Sequence, residues 1–122
     1  MAHTVAEAVA EFFGAWQARD WRAMAAACQG TWIGSQTYPA EAALEAWFGP
    51  KFLQGYRLEA TTAPARYLIQ AYVVLDYRTQ RFGQARVRVE ANVIFEAAHG
   101  NGHGSWGVNP VSVLRETEIV ND

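Results

Sequence analysis

The stretch RYLIQAYVVLDYRTQRFGQARVRVEANVIFEA, residues 66–97, decides how this chain folds. Its odd positions carry Tyr67, Ile69, Ala71, Val73, Leu75 and Tyr77, then Ala85, Val87, Val89, Ala91, Val93, Phe95 and Ala97. Its even positions carry Arg66, Gln70, Asp76, Arg78, Gln84, Arg86, Arg88, Glu90, Asn92 and Glu96. Leu68, Tyr72, Val74 and Ile94 are the apolar exceptions on that side. Alternation with a period of two predicts two strands, each with one apolar face. Residues facing one another in a ladder share a face, so the numbers of each pair must sum to an even number. A three-residue loop, Arg81-Phe82-Gly83, obeys this rule, and Gly83 supplies the left-handed conformation such a loop requires. This register sets Gln80 against Gln84 and Asp76 against Arg88, but it also sets Arg78 against Arg86, a like-charge pair.

Working outward, Thr4-Val5-Ala6-Glu7 reads as a capping box, followed by Val5, Ala8, Val9, Phe12, Phe13 and Trp16 at helical spacing. This helix should end near Gln17-Ala18-Arg19, and Asp20 suits the cap of a second helix carrying Trp21, Met24, Ala25 and Cys28 on one face. Gly30 is expected to stop it, with Thr31 to Thr37 irregular or a short strand. Pro39 suits the first turn of a third helix, with Leu44, Trp47 and Phe48 inward and Gly49-Pro50 at its end. Alternation from Tyr56 to Thr62, closed by Pro64, predicts a first strand. A last strand, Trp106 to Ile119, is interrupted by Asn109-Pro110, where a bulge or an exposed edge is expected. The sum is an α+β fold, three N-terminal helices packed on a curved four-stranded antiparallel sheet, in one domain spanning residues 1–122.

Hydrophobic residues make up 51% of the chain and charged residues 18%, a composition able to build a core. A net charge of −2 offers no basic field for nucleic acid or an anionic membrane. No apolar run reaches membrane-spanning length, and Met1-Ala2-His3-Thr4 does not open a signal peptide. A single cysteine, Cys28, excludes an internal disulfide and suits a cytoplasmic location.

The turn Gln17-Ala18-Arg19-Asp20 between two helices, and the long strand pair Arg66–Ala97 after the third, give an element order that resembles the nuclear-transport-factor-2-like, or SnoaL-like, superfamily. The resemblance covers nearly the whole chain and rests on element order and pattern. It implies a cone of helices and sheet with room for a central pocket, and a homodimer formed through the outer sheet face. Against the enzymes of that family the chain departs at each catalytic position. Phe12 stands where the isomerases carry a tyrosine, and Gly34-Ser35-Gln36-Thr37 offers no carboxylate where they carry their base. The inner parity of the central strands holds neither the acid those enzymes place there nor the Asp-Arg-Asp set of the epoxide hydrolases.

Five tryptophans are many for 122 residues, and Trp16, Trp32 and Trp47 are candidates to wall a pocket for a small apolar or aromatic ligand, whereas Trp21 is assigned to packing. Tyr67 and Tyr77 are the polar groups the inner face of the central hairpin offers. Arg115 shares the parity of Val111, Val113, Thr117 and Ile119, so it falls on the side facing the helices, where its guanidinium would hold a carboxylate or phosphate of a ligand. A bulge at Pro110 would shift the facing of every residue after it. His99 and His103 lie in the glycine-rich stretch Ala98–Gly104 with no acidic or cysteine neighbour, so no metal site is assigned. Gly100, Gly102 and Gly104 precede no helix start and make no phosphate loop. Cys28, on an apolar helix face, reads as a small hydrophobe. No cofactor is implied. The leading reading is a small-molecule-binding protein; the alternatives are a non-catalytic dimeric scaffold and an isomerase, cyclase or dehydratase.

Overall fold

The computed structural model describes residues 2–37, 39–81, 83–97 and 104–120, with the side chains of Thr117 and Glu118 left aside. His99, His103, Gly100, Gly102 and Phe82 lie outside the described residues. The chain runs α1 (Val5–Ala18), α2 (Trp21–Ala26), α3 (Gly30–Gly34), α4 (Ala40–Phe48), β1 (Lys51–Ala65), β2 (Leu68–Thr79), β3 (Gly83–Ala97), β4 (Gly104–Asn109), α5 (Pro110–Val113) and β5 (Glu116–Ile119). The α+β class and the antiparallel sheet are as expected. The helix inventory is corrected: five helices are described instead of three, and one of them follows β4.

The caps read from sequence are present. Thr4 Oγ1 accepts from the Glu7 amide at 3.1 Å, and Glu7 in turn accepts from the His3 amide at 3.0 Å. The Asp20 carboxylate accepts from the Ala23 amide at 3.0 Å and opens α2. Between them Arg19 takes the left-handed conformation, φ 57°, that usually falls to glycine. Its own side chain offsets that strain. The guanidinium donates to the Gly49 carbonyl at 2.9 Å and lies 4.3 Å from the centre of the Phe52 ring.

Residues 31–37, expected to be irregular or extended, open instead with α3, and Gly30 starts that helix rather than ending α2. The cause is remote in sequence. Glu96, near the end of β3, accepts from the Gly30 amide at 2.7 Å and from the Thr31 amide at 3.4 Å, supplying the cap that Gln29 does not. Gly107 lets β4 approach the backbone of Cys28 and Gln29, where a Cβ would come within 2.8 Å of the Cys28 carbonyl. Val108 then hydrogen-bonds to Ala27 and Gln29 on either side of that contact, at 3.0 and 2.9 Å.

The sheet order is β1-β2-β3-β4, with β5 also on β3. β2 occupies one edge of β3, so β4 (on Asn92–Ala97) and β5 (on Val87–Val89) share the other. The hairpin keeps the predicted parity but shifts by one pair. Thr79 faces Gly83, Asp76 faces Arg86 and Arg78 faces Gln84. The expected Asp76–Arg88 and Gln80–Gln84 pairs are therefore corrected. The shift removes the Arg78–Arg86 repulsion and replaces it with an Asp76–Arg86 ion pair of 2.6 Å. Gly83 is the left-handed residue, φ 74°. β1 starts at Lys51, not Tyr56, and runs past Pro64; it is an edge strand with three register shifts, which is how it accommodates a proline.

The odd face is dry along its centre. Ala71, Val73, Leu75, Tyr77, Val87, Val89, Ala91 and Val93 are all buried, whereas Tyr67 and Phe95 at the ends are exposed, against expectation. Phe12, Phe13, Trp16 and Phe48 fill the space above it, with ring centres 4.8–6.2 Å apart. No polar residue is buried among the described residues. On the outer face Val74 is buried between its neighbours Arg57 and Arg88, both of which pair with Glu59 at 3.2 and 2.9 Å. Leu68, Tyr72 and Ile94 are half-buried there.

Val89→Asp tests the facing directly. Val89 is 0% exposed, with apolar neighbours on β2, so an unpaired carboxylate there should cost roughly 3 kcal/mol or more. A thermal melt should show a large drop of the midpoint.

Candidate ligand-binding site

Trp16 is fully buried and carries one N–H that must be paired. It donates to the Lys51 carbonyl at 3.0 Å, pinning the first residue of β1 beneath α1. Lys51 then extends its ammonium along the sheet to Glu116 of β5, 2.8 Å away. Tyr77, on the inner face of β2 between Leu53 and Ala85, donates its hydroxyl to the same Glu116 oxygen at 2.6 Å. The Lys51 nitrogen also lies 5.1 Å from the centre of the Tyr77 ring. The adjacent strands β1 and β2 thus contribute one cation and one phenol, and β5, distant in sequence, contributes one anion.

A hollow of about 780 Å³ opens over this cluster, walled by Pro50, Phe52 and Ala85 and by Thr79 and Arg81 of the hairpin. Burial pushes the Tyr77 hydroxyl well above the ordinary phenol range, and its bond to Glu116 pushes it further. Burial also pushes Glu116 up, but the hydrogen bonds from Lys51 and Tyr77 outweigh it and hold the carboxyl below its ordinary value. Tyr77 is therefore a neutral donor and Glu116 an anion at neutral pH. Neither is poised to exchange a proton near pH 7, so the set is suited to hold a polar group rather than to move protons. Another hollow, about 590 Å³, surrounds Asp76 and Arg86, whose charges neutralise each other.

The six residues proposed from sequence do not converge. Tyr77 lines the hollow. Trp16 supports it from the core through its indole N–H. Trp32 and Trp47 pair with each other at 5.9 Å between α3 and α4 and do not line the hollow, and Trp47, expected inward, is exposed. Tyr67 is 62% exposed, just before β2 begins, whereas Tyr77 is near its other end, about 30 Å along the strand at ~3.3 Å per residue. The inward facing of Arg115 is corrected: it is exposed and borders an outer-face hollow with Gln70 and Asn92. The turn α5 between Pro110 and Val113 exchanged the facing, turning Glu116, expected outward, in to Tyr77. Lys51 and Glu116 were missed. They are 65 residues apart, and only the Asn109-Pro110 helix start hinted at the exchange. Cys28 is buried and its thiol is pushed up to about 12 by burial, which fits its reading as an inert hydrophobe. No group of residues suited to hold a metal ion occurs among the described residues. Nor is any of their helices long and apolar enough to cross a membrane.

No family model matches the chain, and no curated protein does. Among solved structures it is similar to a sec-c motif containing protein from Psychrobacter arcticus, with a TM-score of 0.72 over 92% of this chain and 14% sequence identity. The chain spans 62% of that protein's length. At this identity the likeness concerns the fold.

Acid should act on the site through Glu116. Its folded pKa lies below its ordinary value of 4.5, so the folded state binds fewer protons than the unfolded chain in that range. The stability it contributes is present above that value and is lost as pH falls through the folded pKa. Thermal midpoints of the protein and of Glu116→Gln should differ most near neutrality and converge as pH falls through the lowered folded pKa of Glu116.

Proposed function

We propose that the chain is a small-molecule-binding protein that takes the cone form of the nuclear-transport-factor-2-like superfamily, with its site in the hollow over Lys51, Tyr77 and Glu116. The observation that carries this reading is the hollow itself, about 780 Å³ with an apolar wall and a polar cluster at its base. The aromatic filling of Phe12, Phe13, Trp16 and Phe48 keeps a ligand out of the centre and at the mouth. A ligand with a small apolar or planar body against Pro50 and Phe52 would direct one polar group at the Lys51 ammonium and the remaining Glu116 oxygen. The neutral phenol and the depressed carboxyl favour binding over isomerase or dehydratase chemistry. A fragment screen by ligand-observed NMR, with aromatic alcohols, amides and acids, tests it. Lys51→Met should weaken a hit by roughly 1.5–3 kcal/mol, the contribution of a charged hydrogen bond. Hits that ignore both Lys51→Met and Phe52→Ala would overturn the assignment.

A second reading, a non-catalytic dimeric scaffold, is favoured by the outer sheet face. Leu68, Tyr72 and Ile94 are only half-buried there, around the buried Val74. A two-fold pairing of that face with its copy would cover them. Sedimentation should then report twice 13.5 kDa at micromolar concentration, and a species of 13.5 kDa alone would exclude it.

A further inference from the structure

The outer sheet face carries a hollow of about 400 Å³ beside α5, separate from the site over Tyr77. Gln70 of β2, Asn92 of β3 and Asn109 of β4 stand in one row across three strands, so their amides share this face. The row is held in place. Ser112 Oγ accepts from the backbone N–H of Asn92 at 2.9 Å and donates to the backbone carbonyl of Asn109 at 2.6 Å, fastening α5 to β3. Gln70 uses its carbonyl oxygen with Thr62, and Asn109 uses its own with the Val111 amide, which leaves the amide N–H groups of both without a protein acceptor among the described residues. Glu90 and Arg115 border the same hollow. Neither charged head has an ion-pair or hydrogen-bond partner among the described residues, although they are of opposite sign.

Two opposite charges that border one hollow without meeting suit a molecule carrying both complements. The geometry points to a binding site for a small zwitterion, a free α-amino acid, with its carboxylate on Arg115 and its ammonium on Glu90. A guanidinium takes a carboxylate in bidentate fashion, and the ammonium finds in Glu90 an acceptor that no protein cation occupies. Gln70, Asn92 and Asn109 supply amides for a polar side chain of the ligand. A volume of about 400 Å³ lies at the small end of ligand sites and suits a molecule of this size.

Titration calorimetry or protein-observed NMR with glycine, L-serine and L-glutamine tests the site, with acetate and methylammonium as half-ligands. At least one amino acid should bind at least tenfold tighter than either half-ligand. Glu90→Gln and Arg115→Met should each weaken it tenfold or more, while Lys51→Met leaves it unchanged. Absence of binding by all three amino acids at millimolar concentration overturns the proposal, as does equal affinity for acetate. A third result also overturns it: if Glu90→Gln and Arg115→Met abolish a dimer seen by sedimentation, the two charges pair across a two-fold axis instead.

Discussion

Trp16 brings into the core a ring that has to be buried and an N–H that has to be paired, and the two demands have one solution. The ring packs on Phe13 and Phe48, and the N–H goes to the carbonyl of Lys51. That bond joins α1 to the residue at which the sheet begins, so the start of β1 is set by a helix 35 positions upstream. With Lys51 held there, its ammonium reaches Glu116, and Glu116 takes the Tyr77 hydroxyl as a second donor. A substitution of Trp16 would therefore disturb the hollow from beneath, although Trp16 itself does not line it.

What could be read from sequence is what depends on near neighbours. The odd-numbered face of β2 and β3 was legible because burial repeats every second residue over two long strands. The caps at Thr4 and Asp20 were legible because donor and acceptor are three residues apart. The hairpin shows the limit of such reasoning. Parity restricts the register to steps of two, and the choice among those steps lay in the repulsion between Arg78 and Arg86, a cue strong enough to have selected the observed pairing.

The rest depends on distant partners. α3 is five residues with glycine at both ends, so its intrinsic preference for helix is poor. Its cap is Glu96, which no local window contains. The exchange of Arg115 and Glu116 had a local sign, an asparagine before a proline, which also suits the first turn of a helix. A bulge and a helical turn both interrupt a strand, but they return the chain with different facing. Of the six residues proposed to bind, Tyr77 alone lines the hollow, because alternation identifies a face and says nothing about position along it.

The unequal sharing of β3 bears on how the protein opens. β2 pairs with it over twelve residue pairs, β4 over six and β5 over three. Local opening draws on the elements with the fewest backbone bonds, so β5 is the first candidate to exchange its amide hydrogens with solvent. Glu116 rides on that strand. Each excursion of β5 takes the carboxylate away from Tyr77 and Lys51 while the core beneath stays closed. The polar cluster is thus preorganised only for the fraction of time that three strand pairs hold, and any ligand that bridges it would protect β5 from exchange.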